Sequence, residues 1–552
     1  MDGLTVPSAV RSIHAGLPKG HERALAASEP GFQPLVRAAL ANAYLARGDV
    51  VRAKALFKEA DAEASAGVKP LIQRGLGQIA LAEGRPDEAA ALFDLAATSA
   101  GGDDAAYHRL WAYEGLARAR LAAGNRAGAT DAYRQAMTTA EQVRARFRSE
   151  EFKTGFFGDV QRIFDGAITA LVAEGQDESA FAASERSRAR ALQDLVRGRV
   201  TAMAGAQAIG GSPVSAASAS DVASALPDGL ALIEYHVTDK QTFVWIIRRG
   251  GVSMVTVSAG RDQLGDEIRR FREAIRGRSA GVGPLAEALY GRLVQPLGLN
   301  ESEAVVIVPH GSLHYVPFQA LRGPRGYLVE ERAVSYAPSA SVLRYLAGGE
   351  RSRRETVLAL GNPDIGTPQL ALPGTEREVQ ALQALFPEAE VYLHKEASKE
   401  RLLARAGVSE LVHVGAHAEL DEIDPLYSMI RLASTEKQRG DLEAHEVYRM
   451  RLSKTALVTL SACDTGLGKI ARGDEMWGFT RSFLAAGTRA LMVSLWPVED
   501  VSTSLLMGKF YEQLRNENAQ RALRSAQLDV LRNGQYRHPF FWASFNLVGD
   551  WR

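Results

Sequence analysis

The sequence predicts an α + α/β protein: an N-terminal α-solenoid of helical repeats, followed by an α/β sandwich with a mostly parallel sheet. Three observations predict this class. Apolar residues recur at three- and four-residue steps through the alanine-rich first part of the chain. Alanine, glycine and serine dominate residues 201–225. From residue 226, short β-branched segments alternate with helical ones.

The first part of the chain repeats itself. Gly48, Gly84 and Gly124 end comparable helices and lie 36 and 40 residues apart. Glycine is favoured at helix ends because it adopts a left-handed backbone with little strain. Small residues let the partner helices approach closely, and an aromatic residue of each second helix fills the gap between neighbours. These aromatic residues are Phe57, Phe93 and Tyr133. The pattern resembles the tetratricopeptide repeat and is favoured over a plain helical bundle.

A fourth, looser repeat is predicted at residues 155–200, which places the repeat domain at 1–200. It carries the charged residues Glu185, Arg186, Arg188 and Arg190. Two interpretations stay open: a solvated helical face with i,i+4 ion pairs, or a helix that docks between domains.

Residues 201–225 are predicted to be a flexible linker. Seventeen of these 25 residues are Ala, Gly or Ser, and Asp221 is the one charged residue among them. Such a composition buries little surface.

The third region, residues 226–552, is predicted to hold the sheet. Near-continuous apolar strands separated by helices indicate a parallel sheet that is covered on both faces. The predicted strands are 231–237, 242–249, 253–257, 305–309, 357–361, 390–393, 411–415, 456–461 and 490–496. The predicted helices are 261–296, 374–386, 397–406, 474–486 and 501–533.

Composition excludes several function classes. The 65 basic residues balance 65 acidic ones, which argues against an extended nucleic-acid surface. No apolar run approaches the roughly 18 residues that span a bilayer, and the first residues lack the apolar core of a signal peptide. We therefore expect a cytoplasmic protein without membrane contact. The single cysteine, Cys463, excludes an intrachain disulfide and a multi-cysteine metal site, and we expect no metal or cofactor.

Two reactive side chains follow two predicted strands. The strand LVHVG runs into His417, and the strand ALVTLS runs into Cys463. In parallel sheets, reactive groups lie just past the carboxyl ends of strands. Cys463 as a thiolate could attack a carbonyl carbon, while His417 lowers the thiol pKa and protonates the leaving amine. The backbone N–H groups of Cys463 and Ala418 could hold the oxyanion.

Other residues near this edge have two interpretations each. Asp464, Asp474 and Glu475 could attract a basic substrate side chain, although Asp474 and Glu475 are also typical of a helix N-terminus. Trp496 could wall a substrate pocket or pack in the core. His413 is interpreted as a packed strand residue and not as a metal ligand, because its strand lacks the helical spacing and the glutamate of a zinc protease.

The region after residue 226 resembles a CHAT domain, the caspase-like peptidase domain that accompanies tetratricopeptide repeats in bacteria. The resemblance is carried by several segments in the expected order. They include IVPHGSLHYVPFQAL (307–321), LALGNP (358–363), LPGTEREV (372–379), LVHVGAHAELDEIDPLYSMIRLA (411–433), TLSACDTGLG (459–468) and HPFFWASFNLVGDW (538–551). The helix SERSRARAL (184–192) also resembles the family's lead-in.

The resemblance implies a cysteine endopeptidase with a Cys/His dyad, matched here by Cys463 and His417, that acts through a thioester acyl-enzyme. The family is grouped with caspases, separase and gingipains. It implies a protein or peptide substrate, a protein partner on the repeat surface, and a role in bacterial defence or programmed cell death. Ala418 stands where glycine is common. Two other classes stay open: a non-catalytic scaffold with a peptidase-like binding domain, and another thiol hydrolase or acyltransferase.

Overall fold

The computed structural model describes residues 18–101, 105–147, 150–188, 192, 217–346, 354–421, 424–461, 470–471, 475–476 and 478–552. The chain divides into two compact units, residues 1–183 and 184–552. Within the described residues, no helix combines the length and the apolar character needed to cross a bilayer.

The first unit is built from helices that follow one another in pairs. Its helices are α1 (Pro18–Ala26), α2 (Gln33–Ala46), α3 (Val50–Glu63), α4 (Lys69–Ala82), α5 (Pro86–Ser99), α6 (Ala105–Ala122), α7 (Arg126–Ala145), α8 (Glu150–Ala173) and α9 (Asp177–Ser187). The end of α9, from Ser184, belongs to the second unit. The helices α2 to α7 are the three predicted repeats, and α8 with α9 forms the fourth pair.

A glycine in the left-handed conformation closes the first helix of each pair. Gly48, Gly84 and Gly124 have φ values of 80°, 74° and 80°, and Gly175 in the fourth pair has 70°. An L side chain rarely adopts these values. The second helix then begins with a side-chain cap in two pairs: Asp49 and Asn125 accept hydrogen bonds from the first turns of α3 and α7.

Aromatic residues join successive pairs, as the sequence predicts. The exposed fraction is 0% for Phe57 and 1% for Phe93. The ring of Phe57 lies against Gly75 and the ring of Phe93 against Gly115, each glycine standing on the first helix of the next pair. The ring occupies the place of the missing Cβ, so each contact needs both the aromatic residue and the glycine.

We predict that Gly115→Ala lowers the free energy of unfolding of the repeat unit. The new methyl group meets the ring of Phe93. Overpacking costs about 1–3 kcal/mol, which exceeds the gain of about 1 kcal/mol from better helix propensity. Gly67→Ala in the same unit is the control, because nothing lies within 4 Å of its Cβ position. Chemical denaturation measures both variants; equal stabilities would contradict the prediction.

The described residues of the second unit form one large sheet and three small ones. Its strands are β1 (Leu230–Val237), β2 (Thr242–Arg248), β3 (Gly251–Val257), β4 (Ala304–Val308), β5 (Arg322–Gly323), β6 (Gly326–Tyr327), β7 (Val334–Tyr336), β8 (Val357–Pro363), β9 (Glu390–His394), β10 (Leu411–Gly415), β11 (His417–Glu419), β12 (Met429–Arg431), β13 (Asp441–Glu443), β14 (Leu457–Ser461), β15 (Ile470–Ala471), β16 (Glu475–Met476), β17 (Ala490–Ser494) and β18 (Phe545–Gly549). All nine predicted strands are present.

The large sheet has the order β3-β2-β1-β4-β7-β18-β17-β14-β10-β8-β9. It is mostly parallel, as predicted, but it consists of two parallel blocks that run in opposite directions. Strands β1, β4, β7 and β18 run one way, and β17, β14, β10, β8 and β9 run the other way. The blocks meet where β17 and β18 pair antiparallel. The carboxyl ends of the two blocks therefore lie at opposite edges of the sheet.

The helices of the second unit connect these strands. They are α10 (Ala219–Ala225), α11 (Arg261–Arg276), α12 (Val282–Leu293), α13 (Leu328–Glu331), α14 (Ala340–Leu346), α15 (Pro373–Leu385), α16 (Lys399–Arg405), α17 (Ala444–Val447), α18 (Phe479–Ala486), α19 (Asp500–Leu514), α20 (Ala519–Arg532) and α21 (Pro539–Trp542). Two predicted helices are broken by turns, at 277–281 and at 515–518. The helix predicted at 474–486 begins only at Phe479.

Part of the predicted linker is a helix. Residues 219–225 form α10, which begins with a capping box in which Ser218 accepts from the N–H of Asp221 and Asp221 accepts from the N–H of Ser218. Ala219 and Val222 are buried. The prediction of a flexible linker is therefore wrong for this stretch, because capping and burial outweigh its low-complexity composition. Residues 201–216 lie outside the described residues.

The charged end of α9 is buried in the second unit. Glu185 and Arg188 are each 1% exposed, so the interpretation as a solvated face is wrong for both. Arg188 donates to the carbonyl oxygens of Tyr235 and Pro309 at the ends of β1 and β4, at 2.6 and 3.1 Å. Glu185 accepts from two N–H groups at the start of α14. Arg190 lies outside the described residues.

A second buried carboxyl group, Glu234 on β1, faces this helix end. Ser184 donates to it at 2.9 Å, and the guanidinium of Arg188 lies 3.6 Å away. Burial, together with the nearby Glu185 carboxylate, raises the pKa of Glu234 well above its usual range. The folded state therefore holds a proton that the unfolded chain releases, and Glu234 makes stability fall as the pH rises through the ordinary carboxyl range towards the raised pKa.

We predict that Glu234→Gln removes this loss, because the amide oxygen still accepts from Ser184 and carries no charge. Thermal unfolding at about pH 4 and about pH 8 measures it, since these values bracket the ordinary glutamate pKa. The variant gains midpoint temperature relative to the wild type at the higher pH and not at the lower. An equal change at both values would contradict the assignment of a raised pKa to Glu234.

Candidate active site

Two neighbouring strands carry the predicted dyad. Strands β10 and β14 pair in parallel and in register, from Leu411 opposite Leu457 to Gly415 opposite Ser461. Their carboxyl ends therefore meet at one edge of the sheet, as the sequence predicts for the segments ending in His417 and Cys463. Cys463 follows Ser461 by two positions and lies outside the described residues, as do Asp464 and Asp474. Their assignment to the site stays a prediction.

His417 is held by a backbone carbonyl. It begins β11, directly after β10 and Ala416, and its Nε2 lies 2.8 Å from the carbonyl oxygen of Leu370. A carbonyl oxygen only accepts, so Nε2 carries the hydrogen and Nδ1 is left as the acceptor of the neutral ring. Sequence analysis missed Leu370, because a backbone carbonyl has no side-chain signature.

A small antiparallel sheet supports His417 from the other side. Strand β11 pairs with β12, which pairs with β13, and this register sets Ala418 opposite the fully buried Ile430. The side chain of Arg431 donates to Glu419 at 2.7 Å. This hydrogen bond lowers the pKa of Glu419. Ala418, the predicted oxyanion donor, therefore lies in a strand of fixed register.

Helix α15 approaches β8 and β10 closely because each strand has a glycine near its carboxyl end, Gly361 in β8 and Gly415 at the end of β10. A Cβ on Gly415 would lie 2.5 Å from the Cβ of Thr375, and one on Gly361 would lie 2.6 Å from a methyl carbon of Val379. Real Cβ atoms essentially never make such contacts. The two glycines thus set the height of α15 over the sheet, and with it the level of the Leu370 loop that precedes the helix.

A buried polar chain fixes the same helix one turn further along. His413 on β10 is fully buried, with Nε2 3.1 Å from a carboxylate oxygen of Glu378 on α15 and Nδ1 3.2 Å from the hydroxyl of Tyr511. Tyr511 donates to Thr459, the register partner of His413 on β14. Burial raises the pKa of Tyr511, so its hydroxyl keeps its proton. This placement confirms His413 as a packed strand residue.

Two other predicted site residues have different roles. Glu475 lies in β16, opposite Ala471, so it is not in the first turn of the following helix, whose N-cap is Gly478. The capping interpretation is wrong for Glu475. Trp496 is fully buried, and its indole N–H donates to the carbonyl oxygen of Phe540 at 3.0 Å. It is therefore a core residue and not a pocket wall, because a side chain without exposed surface offers none to a substrate.

The fold is that of a caspase-like domain preceded by tetratricopeptide-like repeats. Residues 283–550 are a CHAT domain, since the model of that family matches this range. The match begins after the predicted start at residue 226, so the assignment of 226–282 to the domain stays a prediction.

The chain is also similar to curated relatives and to a solved structure. The chain is 25% identical over 384 residues to tetratricopeptide repeat protein 28 of Mus musculus and 25% identical over 377 residues to that of Homo sapiens. Each alignment covers 57% of this chain and 15% of the relative, so the chain spans only a small part of their length. In the Saccharomyces cerevisiae separase–securin complex, one chain matches 96% of this chain over 48% of its own length, with a TM-score of 0.50 and 10% identity, which shows a shared fold.

We predict that Trp496→Phe destabilises the second unit, since it leaves the Phe540 carbonyl without its donor and opens a cavity in the core. Each effect costs about 1–3 kcal/mol in free energy of unfolding. Denaturation followed by circular dichroism measures the loss. Unchanged stability would contradict the core assignment and restore the interpretation as a pocket wall.

Proposed function

We propose that the chain is a cysteine endopeptidase in which Cys463 is the nucleophile and His417 the proton shuttle. The observation that carries the proposal is the hydrogen bond between Nε2 of His417 and the Leu370 carbonyl, at the edge where β10 and β14 end side by side. A ring held by Nε2 presents Nδ1 to a partner, and the chain continues from β14 to the single cysteine within two residues.

The reaction follows from this pairing. Nδ1 of His417 takes the thiol proton, and the thiolate of Cys463 attacks the carbonyl carbon of a peptide bond. The backbone N–H groups of Cys463 and Ala418 hold the oxyanion. The intermediate collapses to a thioester as the C–N bond breaks, and the amine leaves with the proton from His417. Water then adds to the thioester, giving its proton to His417, and the acid leaves as the thiol is restored.

The Leu370 carbonyl favours this chemistry electrostatically. It accepts a hydrogen bond from Nε2 in both states of the ring, and that bond is stronger when the ring is a cation. The carbonyl thus stabilises the imidazolium that forms when Nδ1 takes the thiol proton, and thereby the thiolate.

We assign the binding of a protein partner to the repeats, since stacked helix pairs present an extended surface to proteins. For the biological role we propose a regulated protease in bacterial defence or programmed cell death, which rests on the family resemblance.

The first experiment measures the reactivity of Cys463. Because the chain has one cysteine, the mass shift after iodoacetamide treatment reports this residue alone. We expect wild-type Cys463 to alkylate about tenfold faster than His417→Ala at about pH 6, since an ordinary thiol, with a pKa near 8.5, is almost fully protonated there. Gln is the matched replacement for His417 where Ala unfolds the loop. Equal rates in wild type and variant would overturn the dyad.

The second experiment identifies cleavage. We expect fragments of protein substrates in the presence of the wild type and native partners, and none with Cys463→Ala, because the variant lacks the nucleophile. Mass spectrometry of new N-termini measures them. Identical fragments with both proteins would refute the peptidase. A reactive Cys463 without fragments would favour another thiol hydrolase or acyltransferase, and an unreactive one a non-catalytic scaffold.

A further inference from the structure

Asn362 lies just before the loop 364–372, which connects β8 to α15 and contains the Leu370 carbonyl. It is the penultimate residue of β8, at a register shift between Gly361 and Pro363, has a left-handed φ of 46°, and is 8% exposed. Asparagine tolerates this conformation better than most residues. Its backbone alone would not require a side chain, since glycine adopts the same φ freely.

The side chain of Asn362 ties the two ends of this loop together. Its Oδ1 accepts from the N–H of Leu372 at 2.7 Å, and its Nδ2 donates to a carboxylate oxygen of Glu376 at 3.2 Å. Its own N–H donates to the hydroxyl of Thr375 at 2.8 Å. All three partners lie at the start of α15 or just before it.

Leu370 lies in a short turn at the surface. Its side chain is 46% exposed, so packing does not fix it. Its N–H donates to the carbonyl of Thr367 within the single 3-10 turn Pro368–Leu370. The N–H of Ala371 also bonds within this turn, to the carbonyl of Pro368 at 3.2 Å. The next residue, Leu372, is the first to bond outside the turn: its N–H donates to Asn362, and its carbonyl accepts from Thr375. The segment that holds the Leu370 carbonyl is therefore tied to β8 through the side chain of Asn362.

We propose that Asn362 is a positioning residue of the site: through Leu372 it fixes the Leu370 carbonyl, which orients the His417 ring with Nε2 bound and Nδ1 left as the acceptor. This rests on the proposed dyad. Thr375 acts in the same step, because its hydroxyl accepts from Asn362 and donates to the carbonyl of Leu372 at 2.9 Å. Asn362 touches no reacting atom.

The test compares two replacements of Asn362, both made together with Glu376→Gln. Asn362→Asp keeps the acceptor for Leu372, and Gln at position 376 can donate to the new carboxylate. Asn362→Gly keeps the left-handed backbone and removes both side-chain bonds. The Gln background avoids two carboxylates facing each other and is common to both proteins. Two charged residues near His417, namely Glu419 and Arg431, are the same in both proteins, and so is His394, which lies beside position 376.

The readout is the pH profile of iodoacetamide alkylation of Cys463 in the full chain. With Asn362→Gly we expect the acid limb to move up by about one pH unit, a fall of about tenfold in rate at about pH 6, because the imidazolium loses its fixed acceptor. With Asn362→Asp we expect the profile of the Glu376→Gln parent within about twofold. Thermal unfolding of each protein shows whether a general loss of structure accompanies the shift.

The outcomes separate this inference from the proposed function. An unchanged pH profile of alkylation in Asn362→Gly overturns the role of Asn362. The dyad is kept if the profiles of the wild type and of His417→Ala still differ. A wild-type profile that does not depend on His417 overturns both. If Asn362→Gly does not fold, Thr375→Val tests the same step with Thr375→Ser as its control. The valine variant is expected to move the limb in the same direction, and an unchanged limb there overturns the inference.

Discussion

The candidate site depends on one constraint: β10 pairs with β14 on one side, parallel and in register, and helix α15 comes unusually close to β10 and to β8 on its other side. Parallel pairing brings the residues after both strands to one edge. The missing side chains of Gly361 and Gly415 admit α15 against the strand ends. The helix in turn holds the loop whose carbonyl binds His417. The geometry of a half-buried imidazole thus rests on buried backbone packing.

Strand β18 begins the other block of the sheet, because the strand direction reverses between β17 and β18. Strand β18 meets β7 in a short register that includes only Val548 opposite Tyr336. Side-chain hydrogen bonds supplement it. Gln319 donates to Asn546 and to two carbonyls next to β18, and the hydroxyl of Tyr336 donates to Gln319. This buried network joins β18 to β7 and so anchors the strand at which the two blocks meet. Leaving its buried polar groups without partners would be costly.

The carboxyl ends of β1 and β4, in the block that runs the other way from β10 and β14, lie against the end of α9. Arg188 takes up carbonyl groups at the ends of β1 and β4, and Glu185 takes up N–H groups of α14. Charged residues in a helix look solvated from their spacing alone. They are buried here because each meets backbone groups that the strands and the helix leave unpaired at their ends.

The sequence by itself determined what depends on local pattern: the helix pairs with their glycine turns, the apolar strands, and the position of His417 directly after one of them. These features follow from periodicity and from the conformational freedom of glycine, which each segment carries within itself. Only the tertiary structure decided what depends on distant partners. The Leu370 carbonyl lies 47 residues from His417, Trp496 is buried against Phe540, and the strand blocks oppose each other. These contacts join residues that are far apart in the sequence. The residues around each partner carry no pattern that specifies the other, so the sequence could not reveal the contacts.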